Sequence, residues 1–590
     1  MVAFLKWSRS ILMGMVNSLA RFVLGVAAVV LLLLVISLAR GDGLPGKMVL
    51  VLDLRDAIPD SASTPASFLQ AHRMTVMDLV LALDAAGRDR RVKGVWMRLG
   101  NGALSTAQAE EIGTALQRLR SHGKFVIAQA TAFYGAGLGD YLAATAANEI
   151  WMQPKSDFAP SGAGGGEIFL RGLFDKVNAE PQIAKRAEYK SAADMYMEKG
   201  MTAPDREQLT TLMQSVYDAA VAEMASARHL TPDAVKAALE ASPQFAEDAL
   251  KEKLVDRIGY DDEAKGAALA RAGSGAKAIK MTDYLKTRAD DGGLSPANIA
   301  VVEASGDITD GTANNSLLGG QQGIAGDDLS DAIRRAAADK TIRAIVLRVD
   351  SPGGSVSASD QILHAVKVAQ AAGKPVVVSM GSVAASGGYY ISLSANRIVA
   401  EPGTITGSIG VLTGKVSFGK SAGLIGVGTD QVAIGKNTLM DSPLTPYTPE
   451  QWALLNHEAD IIYDDFTRKV ASGRHLPLEK VQEIAKGRVW SGADAKARGL
   501  VDRLGGFWTA ADLAAQLGRV PLASISLRVY PRRKGLLESL NAFFNGADAD
   551  LGSLSTLQVL LDLPAVRTAL HEISQLPHGG VELRATNLPQ

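Results

Sequence analysis

No cysteine occurs in the 590 residues. Disulfides, thiolate nucleophiles and thiolate metal sites are excluded with it, and the absence fits an oxidising compartment. Neither sign of charge is in excess. The 61 basic and 62 acidic residues leave a net charge of −1, which offers no electrostatic case for nucleic acid. Short basic runs such as Arg532–Lys534 read as solvated surface. Histidine is scarce as well. The chain has eight, and none lies between His364 and His457, the stretch that holds its most suggestive serine. A Ser-His-Asp triad would need a histidine folded back from a distance, such as His229.

One stretch has no charge at all. Phe22 to Leu38 is nearly unbroken Val, Leu, Ala and Ile between Arg21 and Arg40, about the length that crosses a bilayer core. Lys6, Arg9 and Arg21 precede it, so the positive-inside bias puts the amino terminus in the cytoplasm and the globular part across the membrane. A cleaved signal peptide and a buried core helix are the other readings. The large residues of Leu31–Ile36 and the charged flanks favour an uncleaved anchor.

What the chain does contain is a long piece of itself twice. Arg91-Val-Lys-Gly-Val-Trp-Met-Arg98 and Thr341-Ile-Arg-Ala-Ile-Val-Leu-Arg348 share a register, with Arg98 and Gly123 standing 250 positions before Arg348 and Gly373. Asn148 stands 248 before Asn396, and Leu254-Val-Asp-Arg-Ile-Gly stands 246 before Leu500-Val-Asp-Arg-Leu-Gly. So long a period marks a duplicated domain, not a solenoid. The expected organisation is a cytoplasmic terminus and anchor (1–46), a first repeat (47–272), a linker (273–296), a second repeat (297–520) and an unassigned tail (521–590).

Within the second repeat, strand and helix patterns alternate. Ala344–Leu347 and Pro375–Val378 read as strands, Ser355–Ala372 as a helix, Ser386-Gly-Gly as the start of another, and Arg397–Ala400 as a further strand. Such alternation predicts parallel βαβ units. It sets two glycine-rich turns, Asp350-Ser-Pro-Gly-Gly354 and Ser386-Gly-Gly388, side by side at strand carboxyl ends. One reading makes Ser386 a nucleophile whose oxyanion is held by amides near Gly354 and Gly387. The other makes Ser386 a helix N-cap and Gly353-Gly354 a plain turn. Where the second copy has Gly353, Gly354 and Ser386, the first has Ala103, Leu104 and Leu138. A lysine of depressed pKa is the alternative base to histidine.

Asp350-Ser-Pro-Gly-Gly-Ser-Val, Met380-Gly-Ser-Val-Ala-Ala-Ser-Gly-Gly-Tyr-Tyr390 and Thr406-Gly-Ser-Ile-Gly410 resemble the signal peptide peptidase (protease IV) family, in its long, duplicated bacterial type. The resemblance runs from about residue 20 to 510. It implies an α/β fold of two tandem Clp protease/crotonase-like βαβ domains after an amino-terminal transmembrane helix. It also implies a Ser-Lys dyad, with the lysine supplied by the first repeat in a Tyr-Lys-Ser-Ala context, here Tyr189-Lys190-Ser191-Ala192. Lys190 then becomes the general base and Ser408, in Gly-Ser-Ile-Gly, the residue that orients it. Carrying the 248 offset forward puts Lys190 opposite Thr438, so each repeat would lack half of the dyad. Lys436 is the rival base, and Lys185 and Lys199 read as solvated.

The function so implied is a membrane-anchored serine endopeptidase acting through an acyl-enzyme on apolar peptides, including released signal peptides. The setting is the bacterial inner membrane, with a single pass and the catalytic domains on the periplasmic side. The expected partners are membrane lipid and further copies of the chain in a ring, a tetramer by analogy, and no metal or cofactor is expected. A crotonase-type acyl-CoA enzyme, which would not need Ser386, and an inactive membrane scaffold are the alternatives.

Overall fold

The computed structural model describes residues 42–61, 74–289, 297–313 and 323–530. Two sheets organise them. The first contains β1 (Met48–Asp53), β2 (Val92–Leu99), β3 (Phe125–Ala130), β4 (Glu149–Met152), β5 (Arg257–Ile258) and β6 (Lys277–Lys280), in the order β5-β4-β3-β2-β1-β6. All five pairings are parallel. Helices α1 (Val76–Arg88), α2 (Thr106–Ser121) and α3 (Gly139–Thr145) cross between its strands. Thr75 and Ser105 cap α1 and α2 with reciprocal capping boxes, Thr75 with Asp78 and Ser105 with Gln108.

Two further elements leave the first sheet, α4 (Ala203–Arg228) and, before it in the chain, the strand Glu180–Arg186. The second sheet has eight strands. Its main path is built from β7 (Ile299–Ser305), β8 (Ala344–Ser351), β9 (Val376–Ala385), β10 (Ile405–Gly407), β11 (Val489–Ser491) and β12 (Leu527–Tyr530), in the order β11-β10-β9-β8-β7-β12. Arg397–Ala400 pairs with β9, and Arg503–Leu504 pairs with Arg397–Ala400. Only β10·β11 is antiparallel in this sheet among the described residues. Helices α5 (Val356–Ala371), α6 (Gly387–Tyr390), α7 (Pro449–Arg474) and α8 (Phe507–Leu517) complete the repeat.

The strands are apolar runs, as a parallel sheet covered on both faces requires. One face of the second sheet (Ile345, Leu347, Val378, Met380) lies in that repeat's own core with Ile362 and Val366 of α5. The other face (Ile299, Val301, Ala344, Val346, Val377, Val399) joins α8 and the first repeat in one continuous core. The repeats therefore share buried apolar surface. They also share strand pairing, because Glu180–Arg186 runs antiparallel to Val411–Ser417, with Arg186 opposite Val411 and Glu180 opposite Ser417.

Two of the expected connecting segments hold regular structure. The expected linker 273–296 holds β6, which pairs with β1, and a helix over Met281–Ala289 whose Tyr284 is fully buried in the first core. The expected tail begins with β12, which pairs with β7. In both cases an edge strand closes its sheet, and a four-residue strand with mixed burial carries little periodic signal. The expected membrane segment and the tail beyond Tyr530 lie outside the described residues. Among the described residues, no helix is long and apolar enough to cross a membrane.

Candidate active site

The carboxyl end of β8 delivers the first glycine turn. Gly353 and Gly354 have φ of 115° and 148°, conformations that glycine adopts without strain. Ile308 N–H donates to Gly353 O at 2.8 Å, and Ser355 N–H donates to Ile308 O at 2.8 Å. A Cβ on Gly354 would lie 2.1 Å from Ile308 O, so no other residue fits. These bonds use the carbonyl and the amide flanking Gly354 and leave its own nitrogen on the side of Gly387. A Cβ placed on Gly387 would sit 3.1 Å from Gly354 N.

The carboxyl end of β9 delivers Ser386, partly exposed, with φ 52° and ψ −115°. A β-carbon residue held there is strained, a conformation that clusters at functional sites. The N-cap reading of Ser386 does not hold. It precedes α6, but its side chain makes no capping bond. Its N–H donates to Gly407 O at 2.9 Å, which ties it to β10 and the turn that follows. In that turn Ser408 also has a positive φ, 50°.

Lys190 arrives from the first repeat, on the loop after the strand that pairs across the repeats. Its Nζ lies 3.1 Å from Ser386 Oγ, 2.9 Å from Ser408 Oγ and 3.1 Å from Ser408 O. The residue is 5 % exposed. Burial pushes its amine down to about 8, because desolvation disfavours the ammonium. The loop is seated on the second repeat: Tyr189 N–H donates to Lys486 O at 3.1 Å. Gly487 packs so closely on Lys190 that a Cβ there would come within 2.6 Å of the lysine's own Cβ.

Ser386, Lys190, Ser408, Gly354 and Gly387 are thus brought together. The rivals are not. Lys436 is exposed, Lys185 pairs with buried Asp194, and Lys199 pairs with Asp175 at 2.8 Å. Asp194 makes Lys185 an engaged side chain instead of the solvated one expected. The residue facing Lys190 in the second copy also changes. Helix caps Thr202 and Thr448, and His229 and His475, are both 246 apart. Measured back from these helices, Lys190 corresponds to Lys436, not Thr438. The 248 offset fails because the second copy is two residues shorter between Asn148 and this helix.

Sequence reasoning missed the polar contact that joins the repeats behind the site. Arg348, fully buried, donates to Asp60 Oδ1 at 2.6 Å and Oδ2 at 3.0 Å, to Glu111 Oε2 at 2.7 Å and to Ser379 Oγ at 2.9 Å. Its neighbour Asp350, at the head of the glycine turn, is pushed up to about 6 by burial and by the Asp60 charge. The only signal was a shared Arg98/Arg348 landmark, which does not say which of the two is buried.

The geometry just described, an accessible strained serine beside a buried amine and open glycine amides, defines a serine hydrolase site without histidine. Comparison with known proteins says which one. The model of peptidase family S49 matches residues 118–274 and 368–521, once in each repeat, and a Clp protease model matches 327–401. Protease 4 of Salmonella typhi is 32 % identical over 92 % of this chain and 88 % of its own. The chloroplastic serine protease SPPA of Arabidopsis thaliana is 32 % identical over 74 % of this chain and 65 % of its own. Protease 4 of Haemophilus influenzae is 32 % identical over 75 % and 73 %. The chain belongs to peptidase family S49, whose members are serine peptidases with a Ser-Lys dyad, and carries the family's domain twice.

Proposed function

We propose that Ser386 is the nucleophile and Lys190 the general base of one composite site, and that the protein is a membrane-anchored endopeptidase of apolar peptides, released signal peptides among them. The observation that carries the reading is the 3.1 Å approach of Lys190 Nζ to Ser386 Oγ across the two repeats. Neutral Lys190 takes the Ser386 proton as Oγ adds to the peptide carbonyl. The ammonium then protonates the leaving amine, and water, deprotonated by Lys190, releases the acyl group. Ser408, 2.9 Å from Nζ, orients the amine between these steps. The amides of Gly354 and Gly387 face the developing oxyanion.

The first repeat supports that role for the loop. Its counterpart of the Gly354 amide, Leu104 N–H, donates to Asp140 at 3.1 Å, together with Gly100 N–H at 2.7 Å and Gly102 N–H at 3.0 Å. This turn is built to hold an anion, and in the second copy Gly388 stands where Asp140 stands in the first, so that position offers the Gly354 amide no carboxylate, and Ser351 O packs against Gly388 instead.

Two crotonase-like repeats, 47–289 and 297–530, are the units of this reading, with the Phe22–Leu38 anchor holding them to the bacterial inner membrane from its periplasmic side. The signal-peptide preference rests on relatives such as the putative signal peptide peptidase SppA of Enterococcus faecium, 30 % identical over 36 % of this chain. A ring oligomer, a tetramer by analogy, is supported by unmatched edges. The strand Glu180–Arg186 of the first repeat pairs with Val411–Ser417 of the second. The corresponding segments at the 246 offset, 426–432 and 165–171, form no strand. Val427 and Val432 are 51 % and 91 % exposed. Pairing them between successive chains repeats the internal joint.

The deciding experiment is hydrolysis of a fluorogenic apolar peptide by the detergent-purified full chain, beside Ser386→Ala and Lys190→Ala. Activity lost in both, at unchanged oligomeric state, is the expected result. Activity retained in Ser386→Ala sinks the dyad.

A further inference from the structure

Gln208 is a polar side chain buried to 2 % exposure on the first turns of α4, and the chemistry just described does not use it. Its amide is fully engaged. The two protons of Nε2 face three acceptors, Tyr189 O at 3.0 Å, Ser191 Oγ at 2.8 Å and Asp205 Oδ1 at 3.0 Å, so one proton is shared. Oε1 accepts from Val489 N–H at 3.3 Å. Tyr189 and Ser191 are the residues on either side of Lys190. Val489 lies on β11 opposite Gly407 of β10, and Gly407 O accepts the Ser386 N–H at 2.9 Å. One amide thus joins both shoulders of the base to the strand pair that holds the nucleophile.

We propose that Gln208 is a positioning residue for the reaction, clamping the Lys190 loop of the first repeat onto the second so that the amine stays buried beside Ser386. The second copy shows what the clamp does. At the 246 offset the corresponding residue is Leu454, 47 % exposed on α7, and the corresponding lysine, Lys436, is exposed. A leucine offers no donor to the loop, and the loop there is not packed down. Only an amide has the two protons and the acceptor that this bridge uses at once.

This inference rests on the dyad reading. A base displaced by about 1 Å costs on the order of 10²-fold in rate. A base let out to water also regains an ordinary lysine pKa, and that second effect separates positioning from mere loss of stability. The test measures kcat, KM and the pH–rate profile of the full chain in detergent for wild type, Gln208→Leu, Gln208→Glu and Lys190→Ala. Gln208→Leu is expected to lose about 10²-fold in kcat at pH 7 with KM little changed. Its acidic limb should move to higher pH, so that much of the loss returns on the alkaline side. Gln208→Glu keeps the shape and the acceptor for Val489 but sets a second acceptor against Tyr189 O and Asp205, so it should shift the limb in the same direction. It carries the readout if the leucine variant does not fold. A limb unmoved in the folded Gln208 variants, with Lys190→Ala inactive, overturns the positioning role alone. Activity in Lys190→Ala overturns the dyad instead.

Discussion

At the same point of the same turn, the first repeat has Leu138 and the second Ser386, and the backbones differ as much as the side chains. Leu138 sits in relaxed helical geometry, φ −91° and ψ −16°, and leads into a seven-residue helix. Ser386 sits at φ 52° and ψ −115° and leads into four residues. Beside it, the first repeat fills its loop amides with the Asp140 carboxylate, whereas the second leaves glycine there. In the first copy these amides are satisfied and the backbone is relaxed. In the second copy Ser386 keeps its strained backbone, and the surrounding sheet holds it in place. The contrast reverses at the base: the first repeat buries Lys190, and the second exposes Lys436. Each copy keeps the half of the site that faces the other.

The strongest way to break this comparison is at the lysines. Lys190→Arg should lower kcat by about 10⁴-fold, because arginine cannot give up its proton, while Lys436→Arg leaves the rate unchanged. Steady-state hydrolysis of the apolar peptide checks both, and a rate loss in Lys436→Arg removes the asymmetry. The arginine pair comes next. Arg348→Met strands Asp60 and Glu111 in the shared core and should cost about 3–5 kcal/mol, read by denaturant unfolding. Arg98, which meets Asp53 and Asp261 at a partly exposed edge, should cost less than about 1 kcal/mol on the same change.

At the glycine turn, Gly354→Ala drives a Cβ to 2.1 Å from Ile308 O and displaces one oxyanion donor, a loss of about 10²–10³ in kcat. Leu104→Gly, its counterpart, should leave kcat as it is. Smallest per step is the pH effect. Lys190 must be neutral to accept a proton, and burial holds it at about 8. The rate should therefore rise with pH through about 8 and fall about tenfold per unit below it. A flat profile between pH 6 and 8 would take Lys190 out of the mechanism.

Much of the site was legible because its residues are conspicuous as letters. Gly353, Gly354, Gly387 and Ser386 cluster at turns between apolar runs, and the blank copy shows which of them are dispensable to the fold. Lys190 was legible through resemblance alone, since nothing in its spacing sets it near a serine 196 residues later. Gln208 and Arg348 were invisible in role. Glutamine on a helix and arginine on a strand are common, and only burial makes either significant. The edge strands β6 and β12 escaped for the opposite reason, being four residues each with no clear alternation.

The sequence by itself determined the duplication, the parallel βαβ layout, the glycine turns and the identity of the reactive groups, because periodicity, punctuation and residue chemistry are local properties. Only the tertiary structure decided that one repeat's lysine meets the other's serine. That meeting depends on a strand pair across the repeats, a shared core and a buried arginine with two carboxylates. Such contacts are selected by the free energy of burying surfaces far apart in the chain, and no local pattern records them. The same burial depresses the lysine pKa, so the fold supplies the base as well as its position.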